Sequence, residues 1–306
     1  MKQYALILFV ITLMASITSA QTIENLKSQS FAEEIAVSKS SADFTEIPSE
    51  AVEMNNQAVR LFNNYQSDKA IKLLQTAINL APNFRQALFN LGFVFAKTQR
   101  NREAVQIFRT LIISQPTEPK YYNELGISLY DLGELKNSAE AFTQAVKLAP
   151  DKALFLCNLG SVFLASKDYG RAAKTFERAI KINPDNARAL NNLGVSLYLL
   201  ERFKEAEKYA SLAIEYDPNI ANFYFNLGVI QSRLEKKKKA YECFLKAVEL
   251  RPDWSQAQYS LAIVSLIIGK RDEAFERYLV LKKLDAGLAE EFRKRLTAHL
   301  VVEVPR

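Results

Sequence analysis

Apolar and small residues recur along this chain in two alternating helical registers. Counting from Ala51, Arg85, Pro119, Ala153, Ala187, Ala221 and Ser255 gives seven repeats with a step of 34 residues. Within each, positions 4, 7, 8 and 11 share one face, as Leu156, Leu159, Gly160 and Phe163 do. Positions 20, 24 and 27 share another, as Ala172, Phe176 and Ala179 do. Spacings of three and four residues stack side chains on one side of an α-helix, so each repeat is predicted to be two helices burying a common seam. Proline stands at position 32 in six repeats (Pro82, Pro116, Pro150, Pro184, Pro218, Pro252) and Ala286 in the seventh. Proline lacks an amide donor and clashes with the preceding turn, so it ends the second helix. The residues that follow it, Asn83, Thr117, Asp151, Asp185, Asn219 and Asp253, are predicted to cap the next helix.

Position 8 is glycine in five repeats (Gly92, Gly126, Gly160, Gly194, Gly228) and alanine at Ala58 and Ala262. Mid-helix glycine costs about 1 kcal/mol relative to alanine, so its return predicts close approach of the second helix. Position 20 is alanine everywhere except Ser138. A fixed step of this size means a stack of similar units, which grows by adding neighbours and needs no single large core. One elongated domain is the economical expectation. This pattern resembles the tetratricopeptide repeat (TPR) family over about residues 51–286. The resemblance implies an all-α fold: a right-handed superhelical solenoid of seven helix-turn-helix repeats plus a C-terminal capping helix.

The flanks read differently. Residues 1–20 place Lys2 before an apolar run and end in small residues, a secretory signal layout. Cleavage after Ala20 would leave Gln21 as the N-terminus of an exported, periplasmic or secreted protein; retained, residues 4–20 would anchor the chain in a membrane. Residues 21–48, rich in Ser, Glu and Thr, are predicted to be a flexible linker. Residues 49–286 hold the repeats, 287–300 a charged amphipathic cap, and 301–306 a tail.

Charge and cysteine content change this picture little. The net charge is +6 with a pI near 9.1, but the cations are dispersed among acids, which argues against nucleic acid as a partner. The densest basic run, Lys236 to Lys239, falls on a turn between helices, where solvated charge is the simpler reading. Cys157 and Cys243 lie in different repeats, so no disulfide is expected. Phosphate-loop, dinucleotide, zinc-protease and nucleophile-histidine signatures are missing, and the one histidine is His299. No enzyme activity, metal or cofactor is therefore predicted.

Function is expected on the face of the first helix opposite its seam, at positions 2, 5, 6, 9, 12 and 13. In the TPR family these positions line a groove. Here they include Phe62, Phe93, Tyr130, Tyr198, Phe225 and Tyr259, and the only charges are Lys97, Lys120, Glu124, Asp131, Arg188 and Arg233. Neighbouring first helices could equally half-bury the rings. Position 6 carries Asn56, Asn90, Asn158, Asn192 and Asn226, with Asn191 beside Asn192. Such amides suit either an extended peptide backbone or packing between repeats. Their row resembles the asparagine ladder in the TPR arm of O-linked N-acetylglucosamine transferases. Asn55 and Val59 depart from the Lys and Asn of the chaperone-tail carboxylate clamp, so that activity is not implied. The expected function is an exported, non-catalytic scaffold for a peptide segment or protein partner. The alternatives are a membrane-anchored assembly factor for an envelope complex and, more remotely, a carbohydrate-binding or enzymatic groove.

Overall fold

The computed structural model describes residues 47–302, with side chains through Leu296. The expected signal segment, nearly all of the linker and residues 303–306 lie outside the described residues. The described residues form fifteen α-helices. First helices are α1 (Ser49–Asn63), α3 (Arg85–Lys97), α5 (Pro119–Asp131), α7 (Ala153–Ala165), α9 (Ala187–Leu199), α11 (Ala221–Arg233) and α13 (Ser255–Ile267). Second helices are α2 (Ser67–Leu80), α4 (Asn101–Ser114), α6 (Leu135–Leu148), α8 (Tyr169–Ile182), α10 (Phe203–Tyr216), α12 (Lys237–Leu250) and α14 (Arg271–Leu284), followed by α15 (Ala286–Val302). Where one elongated domain was expected, the chain divides into two compact bodies at Asp168/Tyr169, within the fourth repeat. A stack held by nearest-neighbour contacts has no obligatory single core, so such a division breaks no repeat rule.

The predicted helix crossing is present wherever the structure describes it. In repeats two, three and six a phenyl ring at position 24 lies against the position 8 glycine. A Cβ built on Gly92 would meet Phe108 at 3.0 Å, one on Gly126 would meet Phe142 at 2.9 Å, and one on Gly228 would meet Phe244 at 2.8 Å. Repeat five carries Ala210 in place of the ring, and there backbone itself approaches: a Gly194 Cβ would lie 3.2 Å from the Ala206 carbonyl oxygen. Repeat one pairs Ala58 with Leu74, both buried. The exception at position 20 also has a cause, because the buried Ser138 hydroxyl donates to the Gly126 carbonyl at 2.7 Å.

Position 15, between the two helices, adopts positive φ in all seven repeats: Tyr65, Gln99, Gly133, Lys167, Glu201, Glu235 and Gly269. The next amide reaches back five residues, as Gln66 to Leu61 and Arg202 to Leu197 do, both at 2.9 Å. This is a Schellman closure, which satisfies carbonyls left open at the helix end. Five of the seven positions carry a side chain there, although a left-handed conformation costs such residues roughly 1–2 kcal/mol.

The predicted caps are corrected. Residues after the prolines lie two places before the next helix and occupy four-residue turns, closed for example by Phe84 N–H to Ala81 O at 3.0 Å. Proline's fixed φ suits the second place of such a turn and Asp or Asn the third. The cap positions are Phe84, Glu118, Lys152, Asn186, Ile220 and Trp254. Asn186 accepts from the Ala189 amide at 3.0 Å, while Phe84 and Trp254 are buried instead. At the C-terminal end, Asp285 caps α15 through Leu288 N–H at 3.0 Å. Phe292 of that helix is fully buried against the rings of Tyr259 and Tyr278.

Candidate functional site

Positions 5, 9 and 12 of the first helices are buried except at Val59 and Ser232, which are half-exposed. Phe62, Phe93, Tyr130, Tyr198, Phe225 and Tyr259 are all buried, Phe225 completely. Phe62 meets Phe93 edge-on across adjacent repeats at 6.2 Å between centroids. Phe225 packs on Phe244 at 5.6 Å and on Trp254 at 4.6 Å. Tyr198 stands against Phe203 at 5.5 Å, and burial pushes its hydroxyl up to about 12. The Tyr259 hydroxyl, also raised by burial, donates to Glu291 of α15 at 3.0 Å, and Arg295 holds that carboxylate at 2.8 Å. A buried ring offers a ligand no surface in this conformation, so these six residues are packing residues, Phe62 and Phe93 between adjacent repeats and Tyr198 and Phe225 within their own. A helical wheel shows which residues share a face but not which neighbour covers it.

The asparagines form a directed network. Asn90 Nδ2 donates to Asn55 Oδ1 at 2.8 Å, Asn158 to Asn123 at 2.8 Å, and Asn226 to Asn191 at 2.9 Å. The accepting residue then donates within its own repeat. Asn55 gives to Asn56 at 3.3 Å, Asn123 to the Glu124 carboxylate at 2.7 Å, and Asn191 to Asn192 at 3.1 Å. Gln86 adds a further donor to Asn90 at 3.0 Å. The expected row of equivalent amides is thus three separate pairs, each linking an odd repeat to the next even one. Asn55, Asn123 and Glu124 escaped the sequence-based set. The signal that could have found them is the return of Asn at position 5 in repeats one, three and five only.

Of the amides in this network, Asn56 and Asn192 remain half-exposed, while Asn55, Asn90, Asn123, Asn158, Asn191 and Asn226 are buried. The rest of the accessible face comes from positions 2 and 13. In the first body these include half-exposed Gln86, Lys97, Lys120 and Asp131, and in the second Arg188, Asn222, Arg233 and Gln256. Lys120 Nζ lies 5.1 Å from the Phe89 ring centre, and the Arg233 guanidinium lies 5.3 Å from that of Phe203. Cations over aromatic faces are attracted by the ring quadrupole, so these side chains lie on a hydrophobic floor. No group of three or more His, Cys, Asp or Glu residues suited to a metal ion occurs among the described residues.

Comparison with known proteins agrees with this architecture. The tetratricopeptide repeat family model matches residues 55–119, 123–187 and 157–220, and a second tetratricopeptide repeat model matches 221–253. The BBSome complex member BBS4 of Mus musculus is 30% identical over 131 residues. That match covers 43% of this chain and only 25% of the mouse protein. Among solved structures, a tetratricopeptide repeat protein from Parabacteroides merdae superposes with a TM-score of 0.64 at 14% identity, covering 80% of this chain and 98% of that one. Pseudomonas aeruginosa PilF gives 0.62 at 18% identity, covering 69% and 97%. YrrB, described as a TPR protein with an unusual peptide-binding site, gives 0.51 at 23% identity, covering 61% and 97%. At these identities the structural likeness is one of fold.

Proposed function

This chain belongs to the tetratricopeptide repeat family, and we propose on that premise that it is an exported, non-catalytic scaffold that holds an extended peptide segment of a protein partner. The observation that carries the reading is the set of half-exposed polar side chains that each body presents on its first helices, Asn56, Gln86 and Lys120 in the first and Asn192, Asn222 and Arg233 in the second, beside buried aromatic rings. Amides and cations on such a floor can bond a peptide backbone while its side chains rest on apolar surface. The likeness to a structure described as peptide-binding, and the short match to a member of a protein complex, support a binding role without naming a partner. Export rests on residues 1–20 and predicts a native protein whose mass begins at Gln21.

Affinity capture supplies a partner, and titration calorimetry then tests the face. Arg233→Ala and Asn192→Ala, both in the second body, should each weaken binding by roughly tenfold, since a few anchoring side chains dominate interfaces. Lys238→Ala/Lys239→Ala, at the exposed N-terminal end of α12, should leave it unchanged. The reverse pattern would move the site to the basic start of α12 and end the groove reading.

A further inference from the structure

In the second body the second helices touch from repeat to repeat through position 21. The Glu207 carboxylate accepts from Lys236 of the next repeat at 2.6 Å. The Tyr241 hydroxyl donates to Glu273 of the next repeat at 2.8 Å, and Lys270 Nζ lies 3.8 Å from the centre of its ring. Elsewhere at this position Ile71, Val105 and Ala173 are buried. In the seventh repeat position 21 is Phe275, and no further second helix follows α14 among the described residues. The helix that does follow, α15, packs Ala289 and Phe292 into the cluster of Tyr259, Ala262 and Leu281. The Phe275 ring stays 49% exposed, with the Tyr278 ring 5.8 Å away, and Leu279 one turn on is 44% exposed. Large apolar side chains left open together at the end of a stack mark a contact face.

Charge on this face is ordered. Asp272 and Glu276 flank Phe275 toward the start of α14, and Lys282 and Lys283 follow Leu279 toward its end; all four are exposed. Spacings of three and four residues bring these six side chains to one side of the helix. Glu276 meets Arg277 at 3.6 Å, and Lys282 Nζ lies 5.9 Å from the Tyr278 ring centre. Arg271 borders the face and already has a partner of its own. Acids first and cations last also suit the dipole of α14, so the charges alone decide nothing. Set around an exposed apolar pair, they make the face complementary to itself. Turned end for end, it lays Asp272 against Lys282 and Lys283 of a second copy and Phe275 against that copy's Leu279.

We propose that this face of α14 docks on a second copy of the chain about a two-fold axis, with the two α14 helices antiparallel and Phe275 and Leu279 at the centre. Such a contact closes on itself and stops at the dimer, whereas a head-to-tail contact continues. One helix face lies at the small end of specific interfaces, so the expected association is weak and concentration-dependent.

Sedimentation equilibrium of the full native chain over a concentration series tests this. The parent should pass from monomer to dimer and go no further. Phe275→Ser/Leu279→Ser should weaken dimerisation about tenfold or more, as loss of central apolar anchors does. Asp272→Lys/Glu276→Lys makes the face wholly basic and Lys282→Glu/Lys283→Glu makes it wholly acidic, so each variant alone should stay monomeric. An equimolar mixture of the two should form a heterodimer. Misfolding cannot imitate recovery on mixing, and an unchanged helical circular-dichroism signal checks the serine variant. A parent that stays monomeric throughout overturns the proposal, whether the face is bare or covered by residues 297–306. So does a species that grows beyond the dimer, which marks head-to-tail stacking, or a dimer that survives the serine and charge changes.

Discussion

Single residues show how this repeat balances volume across its seam. Glycine at position 8 accompanies phenylalanine at position 24 in repeats two, three and six, while Ala58 accompanies Leu74 in the first. The Phe244 ring leaves no room for a methyl group on Gly228, whose Cβ would lie 2.8 Å away. Gly228→Ala should therefore destabilise the protein by about 1–3 kcal/mol, since overpacking forces neighbours out of place. Shortening the ring as well, with Phe244→Leu, recreates the pairing of the first repeat. The two changes should be coupled favourably by roughly 0.5–3 kcal/mol in a double-mutant cycle from urea unfolding. Simple additivity would show that the glycine serves something other than ring clearance.

At the scale of the helix, the two ends of each first helix are closed by different means. Its C-terminus uses the left-handed residue at position 15, and in repeats two to seven its N-terminus follows a proline turn. The last repeat has no following hairpin among the described residues, and α15 covers it with Ala289 and Phe292. Phe292→Ala should cost about 3–5 kcal/mol, the usual range for a buried ring truncated to a methyl. Because repeats couple mainly to neighbours, hydrogen exchange should quicken in α13, α14 and α15 while α9 and α10 keep their protection. Equal loss throughout residues 169–302 would mean that this body unfolds as one unit.

The whole molecule carries one natural probe in each body. Cys157 lies in the first and Cys243 in the second; both are free and buried, and burial pushes each thiol up to about 12. The folded state thus keeps them neutral, whereas in the unfolded chain they ionise near pH 8.5. Stability linked to these groups is fully present below that pH and declines as pH rises toward 12. At pH 8 the native protein should react slowly with a thiol reagent, and both thiols should react fully after unfolding without reduction. Graded urea, with the modified peptides identified by mass, would show whether the two bodies open together. A reagent-resistant pair in the unfolded protein would reveal a disulfide and contradict the free thiols.

Helix number, the pairing of helices into hairpins and the glycine crossing were all determined by local order along the chain. A period of 3.6 residues states which side chains share a face, and a step of 34 residues states where the pattern restarts. Neither states what lies across that face. Only the tertiary structure decided that Phe62 is covered by Phe93 of the next repeat and that Tyr198 and Phe225 are buried against rings of their own, because coverage depends on how helices and hairpins rotate against one another. It also decided the caps, since the proline turn adds two residues that periodicity does not register. The amides show the division most clearly. The repeat pattern placed asparagine at position 6, but the direction of each hydrogen bond required the facing residue 35 positions away.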